Sequence, residues 1–488
     1  MHSLVTWVQL LLVAAHLGTA ASPPFYGQSA LGHSSAARGW NSYVAQSNGQ
    51  ALTVGYVDSQ CSFFYNNVEA GYDYICSFDS GWSVSCNGDD NGRILPDPTV
   101  FSTMSIEDFA AKLHSKGMKL GIYMIPGAFL SDANKTVAGT DIVIGSLFNT
   151  TIDGRTGISN NYNCRNDFIY SLDGVQEWHD SVVQQFASWG VDYVKLDYIT
   201  PGSSLGDDDG DDKPANDSGA VTAMHSAISR LAPGMRLDIS WALDRQEPFF
   251  DIWKNGADAL RVDQDINAGQ NPVEWDVVQR TVEMFRQFVT LSKSTDPNPM
   301  MIRPDMDNLV VATNSSASDW AAFGSVERYA QLTLWLGAGA NLIVGSDLSL
   351  VDDLGRLLLT HPEVLDAAAF TANWPMVPKL NDGSPSQLQA WVAGPNSNGT
   401  EAIVILSNLG PDLGQGGFNT NLNGTQSVDA TLTELGIGET KWNVRRVLGG
   451  GNGKTDFSDL GVVSGPGSVI TASLAAHETV LLKLTKAI

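Results

Sequence analysis

Residues 175–198 read VQEWHDSVVQQFASWGVDYVKLDY, and this stretch decides the fold. Val175, Trp178, Val182, Phe186 and Trp189 recur at helical spacing, which predicts an amphipathic helix with one apolar face. Gly190 stops it, because glycine enters the left-handed conformation of a helix end without a Cβ clash. Residues 191–198 then read as a β-rich run ending on polar and aromatic side chains. The same unit recurs upstream. Ser105 and Asp108 make a capping-box pattern, and Ile106, Phe109, Ala110 and Leu113 share a face. Gly117 ends that helix, and residues 118–125 form the next strand.

Eight strand units are expected from residue 38 to about 375, recognised by their terminal residues. These are Trp40, Asp79, Tyr123, Asp197, Trp241, Asp265, Asp305 with Asp307, and Asp347. Helical sequence between most of them implies parallel pairing. Eight units in one continuous region predict a (β/α)8 TIM barrel, whose chemistry gathers at the C-terminal strand ends. No GxGxxG follows an early strand, which argues against an open dinucleotide-binding sheet. Beyond residue 376 the texture changes to short β-like runs at 387–393, 401–409, 427–435, 441–448 and 480–484, separated by Gly, Asn and Pro. This predicts a C-terminal antiparallel β-sandwich, read as a packing module with sugar binding as the alternative. The expected organisation is a signal peptide over 1–21, a catalytic barrel over 22–375 and the sandwich over 376–488.

Composition bounds the function. The 488 residues hold 53 Asp and Glu against 28 Lys and Arg, for a net charge of −25. Nucleic acid and anionic membrane surfaces are excluded as partners, since both need basic patches. A hydrophobic fraction of 43% excludes disorder as the dominant state. With only 17% charged residues, the surface must be rich in uncharged polar groups, which suits uncharged polar material. Residues 10–15 make a short apolar core, small residues 18–21 follow, and Pro23-Pro24 comes next. This reads as a secretory signal peptide; a membrane anchor is disfavoured because the run is too short to span a bilayer. Six Asn-x-Ser/Thr sequons lie at Asn134, Asn149, Asn216, Asn314, Asn398 and Asn423, as suits a glycosylated secreted protein. Cys61, Cys76, Cys86 and Cys164 suggest two disulfides with three connectivities open. Neither Cys nor His shows metal-ligand spacing, so no metal is expected.

Three strand ends carry chemistry. In Tyr193-Val194-Lys195-Leu196-Asp197, the alternation of a strand points Lys195 and Asp197 the same way. A Lys beside an Asp favours the ionised carboxylate that a covalent glycosidase nucleophile requires. The alternative is a buried structural ion pair. Leu260-Arg261-Val262-Asp263-Gln264-Asp265-Ile266 offers an Arg and two Asp at successive same-facing positions. One carboxylate can serve as a general acid, with a capping Asp or a calcium site as the alternatives. Cys76-Ser77-Phe78-Asp79-Ser80-Gly81-Trp82 places an Asp and an aromatic at a strand end, for a sugar platform or for the core. Carboxylates from different strands, framed by Trp40, Trp82, Tyr123 and Trp241, together point to glycoside hydrolysis.

At these motifs the sequence resembles glycoside hydrolase family 27, the α-galactosidase and α-N-acetylgalactosaminidase group, from Arg38 to about Ala369. Gly39-Trp40-Asn41-Ser42-Tyr43 is similar to the family's opening GWNSW, and Lys119-Leu120-Gly121-Ile122-Tyr123 to its third strand. Residues 192–197, DYVKLD, resemble the nucleophile motif, and Arg261 with Asp265-Ile266 the acid/base motif. Pro304-Asp305-Met306 and residues 341–348 resemble the last two strands. The resemblance implies a retaining exo-α-glycosidase that needs no metal or organic cofactor and acts on an oligo- or polysaccharide. Asp197 would be the nucleophile and Asp265 the acid/base, with Asp263 in reserve, and retention would set the carboxyls ~5–5.5 Å apart. Lys195 and Arg261 would hold sugar hydroxyls, and Trp40, Asp79, Tyr123, Ser240 and Trp241 would line the sugar site.

The sequence also departs from the family. Phe78-Asp79 stands where two adjacent Asp usually bind the O4 and O6 hydroxyls of galactose. Ser240, in Ile239-Ser240-Trp241, replaces a Glu that contacts the sugar, and the Cys that often follows the nucleophile is absent. A lost partner for a sugar hydroxyl in a closed pocket costs ~1–3 kcal/mol, so these changes bear on the preferred sugar. Galactose is the first expectation. β-L-Arabinopyranoside, which lacks the hydroxymethyl group and would suit a Phe near the O6 site, is the second. Isomaltose-releasing dextran hydrolysis, α-N-acetylgalactosaminide cleavage and non-catalytic carbohydrate binding complete the range. The acidic loop at residues 207–212 fails the calcium-loop pattern and is expected to be a solvated loop, with a weak cation site as the alternative.

Overall fold

The structure, a computed structural model, describes residues 23–68, 73–149, 164–202, 216–267, 272–295, 300–314, 320–379, 385–438, 440–449 and 456–488. The expected signal peptide and the acidic loop at 207–212 lie outside these residues.

Eight short strands form one parallel sheet. They are β1 (Arg38–Asn41), β2 (Ile75–Ser77), β3 (Lys119–Met124), β4 (Val191–Leu196), β5 (Arg236–Ile239), β6 (Ala259–Arg261), β7 (Arg303–Asp305) and β8 (Leu342–Val344). Their order is β8-β1-β2-β3-β4-β5-β6-β7. The two ends of the sheet meet: Asn341 N donates to Pro304 O at 3.1 Å, Leu309 N to Ile343 O at 2.7 Å and Gly345 N to Leu309 O at 2.8 Å. All eight expected strand units are present, and the fold is a TIM barrel.

Helices fill the crossovers: α1 (Val54–Asn67), α2 (Ile106–Ser115), α3 (Val175–Trp189), α4 (Gly219–Leu231), α5 (Phe249–Gly256), α6 (Trp275–Thr295) and α7 (Ser325–Gly337). α8 (Asp353–Thr360) and α9 (Pro362–Thr371) follow β8. The apolar face read for α3 is buried, and Gly190 ends the helix at φ +81°. Ser105 caps α2 by accepting from Asp108 N.

One glycine is dictated by the close approach of two strands. Gly39 has φ +153°, and a Cβ there would lie 1.9 Å from Ile75 O of the paired strand.

The C-terminal part is antiparallel. β9 (Met376–Pro378), β10 (Leu388–Ala393), β11 (Glu401–Asn408), β13 (Trp442–Gly449), β14 (Ser458–Val463) and β16 (Thr479–Lys486) make a sheet ordered β9-β10-β11-β16-β13-β14. β12 (Gln426–Thr431) and β15 (Val469–Leu474) pair separately. Val404, Leu406, Val428, Ile470 and Leu482 share one core between the two sheets. On the large sheet's other face, Trp391, Ile403, Ile405 and Leu481 join the core of the barrel. The period of two along β11 thus serves two cores at once. The Trp391 ring lies 5.9 Å from Phe285 of α6.

Two disulfides settle the connectivity. Cys61 of α1 bonds Cys76 of β2, and Cys86 bonds Cys164. Among the described residues no helix is long and apolar enough to cross a membrane.

The Gly39 contact yields a stability prediction. Gly39→Ala must separate β1 from β2 where they pair at Ile75, and is expected to cost about 3 kcal/mol or more. Urea unfolding of the two proteins measures it.

Candidate active site

The C-terminal strand ends bring buried charges together. Lys195 of β4 sets its Nζ 2.9 Å from Asp79 Oδ2, just beyond β2. The same oxygen accepts from Asn41 Nδ2 at 3.0 Å, while Ser80 N donates to Oδ1 at 2.9 Å. Ser42 Oγ accepts from Asp79 N at 2.9 Å. Asp79 is therefore fixed by the ends of both β1 and β4. Burial works against a charge on Lys195, but the Asp79 and Asp197 carboxylates outweigh it and raise its pKa. The ammonium also lies 5.5 Å from the centre of the Tyr123 ring and 5.6 Å from that of Tyr43.

Arg261 ends β6 and is only 2% exposed. Its Nη1 lies 2.8 Å from Asp265 Oδ1 and 3.0 Å from Asp307 Oδ2, and its Nε 3.5 Å from Asp305 Oδ2. Burial again opposes the charge, and these carboxylates more than restore it, so its pKa is raised. Asp307 takes a left-handed φ of +69° and accepts from Ile266 N at 2.9 Å, which ties the residue after Asp265 to the end of β7.

Asp265 behaves differently. Burial pushes its carboxyl up; Arg261 pulls it down, Asp307 and Asp197 raise it and Lys195 lowers it, for a result of about 7. Its side chain is 33% exposed, so solvent moderates that burial until something fills the pocket. Asp197 continues the ladder with its N donating to Met124 O at 2.9 Å. Its buried Oδ1 and the buried Oγ of Ser240, at the ends of neighbouring strands, meet no hydrogen-bond partner among the described residues. Unpaired buried oxygens of this kind suit a polar ligand that supplies the partners.

Asp79, Lys195, Asp197, Arg261 and Asp265 therefore form one constellation, with Tyr123 against Lys195. The half-buried Trp241 stands beside Tyr198, ring centres 6.4 Å apart. Other expected residues fall elsewhere. Trp40 has no exposed surface; its Nε1 donates to Ser346 O at 2.9 Å and its ring meets Tyr56 edge-on, so it supports the wall. Trp82 is equally buried, donates to Tyr123 O and packs against Trp189. Asp263 pairs with Arg280 Nε and Thr281 Oγ1, each at 2.8 Å, on the side of α6. Phe78 packs against Phe101 and Phe109, in the layer between β2 and α2 and not on the sugar side.

Two residues were missed. Tyr43 is partly exposed, and burial together with the Asp265 and Asp79 carboxylates raises its hydroxyl pKa, so it stands between those groups. Asp307 was read only as a strand end, yet it anchors both Arg261 and Ile266. No cluster of metal-ligating side chains occurs among the described residues.

Known proteins similar to this chain share one family description. The family model described as alpha galactosidase A matches residues 64–162. Alpha-galactosidase 3 of Hypocrea jecorina is 40% identical over 481 residues, covering 93% of this chain and 71% of the relative. A relative from Emericella nidulans that also carries an alpha-galactosidase name is 35% identical, covering 83% of this chain and 81% of its own. Among solved structures, a GH27 β-L-arabinopyranosidase from Geobacillus stearothermophilus in complex with arabinose superposes with a TM-score of 0.72 at 18% identity, covering 93% of this chain and 98% of that one. That likeness speaks for the fold alone.

The buried pair predicts the effect of losing one partner. Asp79→Ala leaves the Lys195 ammonium without its carboxylate and is expected to lower stability by about 3–5 kcal/mol. Asp79→Asn, which keeps an acceptor oxygen, should cost less, and denaturant titration of both variants checks the order.

Proposed function

The chain belongs to the α-galactosidase family of glycoside hydrolases, family 27, and on that premise we propose that it is a secreted retaining exo-α-glycosidase working through a covalent glycosyl-Asp197 intermediate. It is an α-galactosidase-like glycoside hydrolase with a carbohydrate substrate. The Asp197 carboxylate attacks the anomeric carbon while Asp265 delivers its proton to the departing glycosidic oxygen. Asp265 then takes a proton from the water that releases the sugar. Lys195 and Arg261 hold sugar hydroxyls and offset negative charge around Asp197. Asp79, Tyr123, Ser240 and Trp241 complete the sugar site, and Tyr43 joins them.

The observation that carries this reading is the contrast between the two carboxyls. Asp265, raised to about 7, retains a proton to give, while Asp197 has a free oxygen beside the Lys195 charge. No metal or organic cofactor enters the scheme.

An α-galactoside is the first substrate, as the names of the fungal relatives suggest. One observation favours a β-L-arabinopyranoside as the second. Among the described residues, Asp79 alone offers a carboxylate at the end of β2, and the arabinose ring has one hydroxymethyl group fewer to bind. The barrel over 22–375 carries the chemistry, and the sandwich over 376–488 supports it. Two disulfides favour an oxidising, extracellular location, and five of the six sequon asparagines are exposed.

A panel of nitrophenyl glycosides identifies the sugar. Asp197→Ala should abolish turnover of the preferred member with the fold retained; undiminished turnover would remove Asp197 from the nucleophile role. The pH dependence follows from Asp265, which must be protonated in the free enzyme. On the alkaline side kcat/KM should fall through an apparent pKa raised above the ordinary carboxylate range, and kcat, with the pocket filled and solvent excluded, through one of about 7. A flat profile from neutral to alkaline pH would contradict that assignment.

A further inference from the structure

The loop carrying Asp265 is held from two sides. On the barrel side Ala242 N donates to Asp263 O at 3.2 Å, and Arg261 and Asp307 hold Asp265 and Ile266 as described. On the outer side stands Arg280, in the second turn of α6. Its Nε meets Asp263 Oδ2 at 2.8 Å, and its Nη2 donates to Asp265 O at 2.9 Å and to Gln264 O at 3.4 Å. One guanidinium thus grips three consecutive residues of the loop. Its remaining arm, Nη1, donates to Gln415 Oε1 at 2.7 Å.

Gln415 belongs to the β-sandwich, in the loop from β11 to β12. Its Nε2 donates to Asp276 Oδ2 at 2.5 Å, so the amide is held at both ends. The loop is itself shaped for this. The Asp412 carboxylate gathers Gly414 N, Gly416 N and Phe418 N at 2.8–2.9 Å. Gln279 of α6 donates to Leu409 O and Pro411 O and accepts from Leu413 N. The segment 409–418 is therefore docked on the same helix face that presents Arg280.

We propose that Gln415 and Arg280 are positioning residues for the acid/base carboxyl of Asp265, so that the β-sandwich sets part of the reaction geometry. The proposal rests on the reading of Asp265 as the acid/base. Its physical basis is the fixed fork of the guanidinium. With Nη1 pinned by Gln415, rotation about the bond to Nε is blocked, and the Asp265 carbonyl has a fixed donor. Without Gln415 the fork loses its outer anchor, only the loop itself holds it, and the grip on residues 264 and 265 loosens. General-acid catalysis is sensitive to small displacements of its donor.

The test compares two glycosides of the sugar that the wild-type enzyme turns over. One has a dinitrophenyl leaving group, which departs without protonation, and the other an alkyl leaving group, which needs it. Gln415→Ala and Arg280→Lys are expected to lower kcat/KM on the alkyl glycoside about tenfold or more, and on the dinitrophenyl glycoside at most about twofold. Gln415→Asn, too short to span Arg280 and Asp276, should repeat the pattern and serves if the Ala variant unfolds. Equal losses on both substrates, or no loss on either with the unfolding midpoint retained, would overturn the proposal. Asp265→Ala is the control. If it lacks the leaving-group pattern, the acid/base assignment itself fails and the proposal falls with it. If it shows the pattern and the Gln415 variants do not, only the positioning role is lost.

Discussion

Two buried cations, Lys195 and Arg261, face the carboxyls of Asp79, Asp197, Asp265, Asp305 and Asp307, and the rest of the site depends on this imbalance. Neither cation is tolerable alone at such burial, because desolvation opposes each of them. Each is kept charged by carboxylates from other strands. The reverse also holds. The carboxylates outnumber the cations, and burial and the repulsion of its neighbours raise the Asp265 carboxyl, which shares Arg261 with Asp307 and feels the charge of Asp197. The shift on Asp265 comes from the charges gathered around it at the barrel mouth. The arrangement exists only because the barrel closes, since these side chains come from β2, β4, β6, β7 and the turns after them.

Much of this was legible in the sequence wherever the residue lay within a strand. Helix faces, stop glycines and polar strand ends identified eight units, because buried parallel strands and amphipathic crossovers leave separable periods in the sequence. Alternation was also the better guide where it disagreed with motif matching. Asn41 points to Asp79, so Trp40, its neighbour in β1, turns to the helix layer and Tyr56. Phe78 precedes an inward Asp79 and likewise turns outward, although β2 itself ends at Ser77. Reading Trp40 as a sugar contact, and Phe78 as near the O6 site, followed the family pattern by position and set aside the pleat.

Alternation fails where the strand stops. Arg261, Asp263 and Asp265 were read as successive same-facing positions, but β6 ends at Arg261. Beyond it the backbone follows its own hydrogen bonds, with Ala242 N on Asp263 O and Ile266 N on Asp307. Asp263 is thereby handed to Arg280 and Asp265 to Arg261. No local pattern encodes that choice. It is made by partners that are distant in sequence or on the next element.

Packing also brings the sandwich to the Asp265 loop. Its large sheet buries one face on the small sheet and the other on the barrel, with Ile403 and Ile405 in the barrel core and Val404 and Leu406 in its own. A sheet apolar on both faces has to stay docked, since undocking would expose a continuous apolar surface to water. Docking fixes where β11 ends, and its following loop arrives at the start of α6. Asp276, Gln279 and Arg280 stand there at i, i+3 and i+4, on one face of the helix. α6 is also the first helix after the Asp265 loop, so whatever grips its opening turns grips the chain next to Asp265. The contact is a consequence of topology: a sandwich buried for its own stability presents a polar loop to the segment of the barrel that carries Asp265.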